Sequence, residues 1–288
     1  MLHGLRWMIL GVWALAGMSG YSASDVTLAA IAAHRMHADL LEAAEEALSY
    51  SVLNDIGEKK DYQKKMDDFD SRAADFRECA HLDEPENGRL NKKFQDICLA
   101  KLEIAKAIEK IIAKFEENKS LKKEDVAPVQ QQVRAASRLL EELVALSVKS
   151  LNTDDDPMLV RVLDSLKMEA DMLEAIACAY AYVSTRDAAQ KEAFYTKTKD
   201  CDEQSDGFIT RTGIAKLGNE AGMQSYNQFT AEKDNVEKAA TAMFRKLDVE
   251  LDFNVDLTSR FEIAVDRFTK YADGWLAKNI AAMNGNSE

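Results

Sequence analysis

Residues 177–208, ACAYAYVSTRDAAQKEAFYTKTKDCDEQSDGF, read as a long helix closing, a tight polar turn and a second long helix opening. A looser copy lies upstream at 47–76, ALSYSVLNDIGEKKDYQKKMDDFDSRAADF. Tyr50 aligns with Tyr180 at an offset of 180 − 50 = 130 residues, and past the turn Tyr62, Phe69 and Phe76 align with Phe194, Cys201 and Phe208 at 194 − 62 = 132. The small change of offset is assigned to turns of unequal length, with Gly57 expected to cap the first. Two copies of one helical hairpin predict two similar helical modules.

Composition supports that reading. The chain has 288 residues, room for two domains of about 100–150 residues each. Three prolines and twelve glycines are few for this length, and both residues punctuate strands and turns, so their scarcity favours long helices. The net charge of −13 argues against a nucleic-acid partner, since a phosphate backbone is held by Lys and Arg and no basic block is present.

Apolar seams locate eight helices, four per module. The second carries Tyr62, Phe69 and Phe76 every seventh residue, with Met66, Ala73 and Ala80 four residues after each, a bundle pattern. The fifth aligns Leu159, Leu166, Leu173 and Tyr180. The turns are DIGEKK, HLDEPENG, ENKSLKKED, LGNEAG and DFNVD, and Pro128 is expected in the first turn of the fourth helix, where a missing N–H costs little. NTDDDP at 152–157 divides the chain into a first module, 25–152, and a second, 153–288. The expected fold is all-α, two tandem up-and-down four-helix bundles with antiparallel neighbours. Four amphipathic helices can bury one another's seams, so the piece from about 157 on is expected to fold by itself.

Residues 1–24, MLHGLRWMILGVWALAGMSGYSAS, have a short basic start, an apolar run and small residues, the layout of a secretory signal. The run is shorter than the ~20 residues a membrane-spanning helix needs. Export to a periplasmic or secreted location is expected, with the segment either cleaved or kept as an N-terminal anchor, the only membrane contact foreseen. Cys79, Cys98, Cys178 and Cys201 are mismatched in height across their hairpins and read as thiols rather than bridges.

Motifs of catalysis, of nucleotide binding and of di-iron bundles are absent, so neither an enzyme nor a cofactor is expected. His34 and His37 have a metal-compatible spacing but no evident third ligand, and read as surface histidines with no metal. Lys101 and Glu169 interrupt otherwise apolar rows. Thr198, Ser205 and Thr212 occupy the places of Met66, Ala73 and Ala80. One polar residue per seam can serve register. The alternative is a ligand-binding pocket in the second module bounded by Glu169, Tyr180, Thr198, Ser205 and Thr212.

Two four-helix modules with an A-Y-x-x-V-x-x-x-D helix end at 179–187 resemble the extracytoplasmic sensing region of bacterial chemoreceptors, in its four-helix-bundle or helical bimodular form. Those receptors continue through a membrane span into a signalling coiled coil, and this chain ends at AAMNGNSE without either. The resemblance implies a stand-alone sensing or binding module for a small-molecule ligand, or an incomplete receptor, acting with a partner protein or as a homodimer. The competing class is a cell-envelope scaffold whose helices assemble with partner helices.

Overall fold

The computed structural model describes residues 25–148, 157–215, 220–249 and 255–283. The proposed signal segment and most of NTDDDP lie outside them. Eight long helices account for the described chain, with no strand among the described residues: α1 Asp25–Leu53, α2 Ile56–Cys79, α3 Gly88–Asn118, α4 Lys123–Val148, α5 Pro157–Thr185, α6 Ala188–Thr212, α7 Glu220–Val249 and α8 Val255–Met283. The fold class is all-α, and no helix in the described residues is long and apolar enough to cross a membrane. Cys79, Cys98, Cys178 and Cys201 are free thiols.

The α1–α2 and α5–α6 turns are built alike, residue for residue. Asn54 and Arg186 take left-handed backbone at φ 55° and 58° and end the first helix of each pair. Asp55 and Asp187 then cap the second, their carboxylates accepting from Gly57 N at 2.8 Å and Ala189 N at 3.3 Å. The offset is 187 − 55 = 132, so the two turns are equal in length. That corrects two expectations. Gly57 lies inside α2 and caps nothing, and the partner of Tyr50 is Tyr182, at 182 − 50 = 132, not Tyr180. The side chains agree. The Tyr50 hydroxyl donates to Glu116 at 3.2 Å, and Lys59 pairs with the same carboxylate at 2.6 Å. The Tyr182 hydroxyl donates to Asp248 at 2.5 Å, and Lys191 pairs with it at 2.5 Å.

The same offset carries into α3 and α7, where Lys101 pairs with Asp70 at 2.8 Å and Lys233 with Asp202 at 2.7 Å. Lys101 thus leaves its apolar row to make an ion pair across to α2. Pro128 is the sixth residue of α4 rather than a first-turn residue, so the helix forgoes one internal hydrogen bond there.

Each module uses the same contacts. Its first helix packs on its second, third and fourth, and its third packs on its fourth. The modules meet through α1 and α5. These two run parallel: His37 stands beside Glu174 at 3.8 Å, and further along both helices Ser51 meets Ser184 at 3.0 Å. Covered by its own module on one side and its counterpart on the other, α1 buries 20 of its 29 residues, whereas α2 buries 5 of 24. Alanines at 29, 30, 33, 43, 44 and 47 let neighbouring helices approach it closely. One continuous hydrophobic core runs through both modules, from Met36 and Phe76 to Phe208 and Trp275. The two bundles repeat a topology but share a core.

Candidate functional site

A helix buried on all sides must bury its polar residues too. In α1 these include His37, Asp39, Glu42, Glu45 and Ser49, and in α5 they include Ser165, Glu169 and Asp171. The repeat places them in register, since 35–43 RMHADLLEA and 167–175 KMEADMLEA differ by 132. Glu42 corresponds to Glu174, Asp39 to Asp171 and His37 to Glu169.

Each half of this seam has one lysine from the second helix of its module. Lys65 pairs with Glu42 and acts also on Asp39 and Glu169, while Asp273 raises Glu42 and Glu169. Lys197 pairs with Glu174 at 2.6 Å and approaches Asp171 at 3.5 Å. The lysine of each half, even with Arg35, Arg72 and Lys167 acting nearby, does not balance three or four carboxyls removed from water. Burial first, and Glu42 second, push Asp39 up to about 8 despite Lys65 and Arg72. Burial raises Asp171 to about 6 against Lys197, and Glu169 stands well above the usual carboxylate range through burial and then Asp273 and Glu42. The Oδ2 atoms of both Asp39 and Asp171 are buried without a hydrogen-bond partner.

Further along α1 the seam becomes wholly acidic. Glu45 and Glu46 of α1, Glu58 of α2, and Glu262 and Asp266 of α8 are raised by burial, and the charges acting most strongly on them are other carboxylates. Glu46 is pushed up to about 12 and Glu262 to about 7. Glu46 and Glu58 share a side-chain hydrogen bond, which two carboxyls can form only if one keeps its proton. Glu262 accepts from the Tyr180 hydroxyl, and from Ser49 at 3.4 Å. These contacts tie α8 to both central helices.

His37 is buried, contrary to its reading as a surface residue, because α1 is the central helix of its module. Its Nε2 lies 2.8 Å from the Ser137 hydroxyl. Burial lowers its pKa to about 4, against the pull of Glu174. Ser137 and Glu174 approach the same ring nitrogen, whereas a catalytic triad needs the acid on the other one. No group of three His, Cys, Asp or Glu residues among the described residues is arranged to hold a metal ion.

The five residues proposed from sequence do not meet in one pocket. Glu169 faces α1 and the Lys65 cluster, while Tyr180 bonds Glu262, eleven residues and roughly 16 Å further along α5. Thr198 and Thr212 bond back to the carbonyls of Tyr195 at 3.1 Å and Phe208 at 2.7 Å. Ser205 pairs with the Tyr226 hydroxyl at 2.7 Å. These three hydroxyls are satisfied structural groups along a helix seam. Sequence reasoning missed Glu45, and also Asp39, Glu42 and Asp171, whose signal the RMHADLLEA and KMEADMLEA copies carry.

No protein-family model matches the chain, and neither a curated protein nor a solved structure does.

Proposed function

We propose that this chain is a non-enzymatic, exported sensing or binding protein for a small molecule, similar in layout to a chemoreceptor sensing region. One observation carries the reading: equivalent parallel helices of two modules bury a carboxyl-rich seam that well-packed apolar residues would stabilise better. Ionisable groups kept at such an interface make the packing of one module on the other respond to charge. A ligand or proton that neutralises the seam strengthens the contact between α1 and α5, and loss of that neutralisation loosens it. The relative placement of the two modules is then the output that a partner protein reads.

A thermal-shift panel of small amines, carboxylates and divalent cations on the full chain tests this. A ligand held at the seam raises the melting temperature by mass action, about 2.7 kcal/mol at one hundred times its dissociation constant. Its effect should vanish in Glu169→Leu. The scaffold reading has its own support in Leu99 and Leu102, exposed three residues apart on α3. It expects no hit in the panel and instead a complex that Leu102→Lys disrupts.

A further inference from the structure

The internal repeat reveals a second candidate site through a difference between its copies. On the second module, Tyr195 of α6 lies across onto α7. Its ring centroid is 6.1 Å from that of Phe244, and its hydroxyl is 3.3 Å from the Thr241 hydroxyl. At the constant offset of 132, Tyr195 corresponds to Gln63, Phe244 to Ile112 and Thr241 to Glu109. Gln63 does not cross to α3. It donates along its own helix to Asp67 at 3.3 Å. Where the second module has a tyrosine ring, the first has an open groove of about 570 Å³ between α2 and α3. Ile56, Lys60, Tyr62, Gln63, Glu109 and Ile112 line it, and Ile56 is 66% exposed.

The charges at its edges narrow the occupant. Lys59 and Glu116 also reach the groove but neutralise each other at 2.6 Å. Lys60 on α2 and Glu109 on α3 have no ion-pair partner among the described residues. A ring seated as Tyr195 is would rest on Ile112 and point its para position at Glu109, which stands where Thr241 receives the tyrosine hydroxyl. A phenol can donate to that carboxylate, a charge-assisted hydrogen bond. Lys60 then offers an ammonium to an anionic group on the other end of the molecule.

We infer that the α2–α3 groove binds a small phenolic acid, its ring on Ile112 and Tyr62, its hydroxyl on Glu109 and its carboxylate on Lys60. The groove shares no residue with the acidic seam, so the inference does not depend on how the seam is read.

Isothermal titration of the full chain with para-hydroxyphenylacetate, phenylacetate and para-hydroxyphenylethanol tests it. The phenolic acid should bind with one-to-one stoichiometry, and each truncated analogue about tenfold more weakly, having lost one charge-assisted contact. Gln63→Tyr should fill the groove as Tyr195 fills its counterpart, raising the melting temperature and abolishing binding. Glu109→Ala should weaken the phenolic acid about tenfold and leave phenylacetate unchanged. The inference is overturned by no saturable binding to the wild type, by undiminished binding to Gln63→Tyr, or by a Gln63→Tyr melting temperature below the wild type's.

Discussion

Lys65→Met is expected to destabilise the protein by about 3–5 kcal/mol at pH 8, the range for removing one partner of a buried ion pair. Lys65 is 22% exposed at its side chain and its partner Glu42 is 8%. Its ammonium also lowers the cost of keeping Asp39 and Glu169 beside that pair. Methionine matches the aliphatic stem, so the loss reports charge rather than volume. At pH 5 the loss should shrink, because carboxyls that already favour the proton can take one up instead of remaining ionised without a cation. Urea unfolding of wild type and variant at the two pH values measures both numbers. A loss under about 1 kcal/mol at pH 8 would mean that Glu42 is solvated rather than buried with its lysine.

The second large effect concerns the division of the chain. A fragment beginning at Pro157 is expected to lose the cooperative melt of the full chain, and to regain it when mixed with a fragment ending at Val148. The sequence argues the reverse, from four amphipathic helices per module. The shared core changes the expectation. Without α1, the fragment exposes the strip of α5 that carries Glu169, Tyr180 and Ser184 against α1, and apolar side chains of the common core with it. At ~25 cal/mol per Å² of apolar surface, uncovering a few such side chains costs about 1.5–3 kcal/mol each, a large share of a domain's stability. Circular dichroism melts of each fragment and of the mixture decide it, and two independent cooperative melts would restore the modular reading.

Helix number, helix limits and the repeat were legible because heptad spacing is a local property. Tyr62, Phe69 and Phe76 declare a buried face whatever they pack against. The central position of α1 and α5 was less legible, because it depends on how whole modules meet. Their alanine-rich, glutamate-bearing sequence resembles that of an exposed helix until a second module covers it. For the same reason His37 reads as a surface residue and is buried. The polar row of Thr198, Ser205 and Thr212 lies in a seam, as its spacing predicts, but sequence does not show that each hydroxyl has a partner within reach.

The pH dependence of stability probes the seam most directly. Asp39 rises from 3.8 to about 8 and Glu262 from 4.5 to about 7 on folding. The folded state therefore holds more protons than the unfolded state between those values, and stability falls as pH rises through them. His34 and His37 act oppositely, lowered from 6.5 to about 3 and 4, so they withdraw stability only as pH falls below about 6.5. Between pH 6.5 and 8 these two histidines are silent, and His81, raised by its hydrogen bond to Asp25 at the surface, acts in the same direction as the carboxyls. With at least one extra proton held by the folded state, at 1.36 kcal/mol per pH unit, stability should drop by about 2 kcal/mol or more across that window. The measurement is the urea midpoint of the full chain at pH 6.5 and at pH 8, with the slope m unchanged. A lower midpoint at pH 8 is the expected result, and an equal or higher one would contradict a buried, proton-holding seam between α1 and α5.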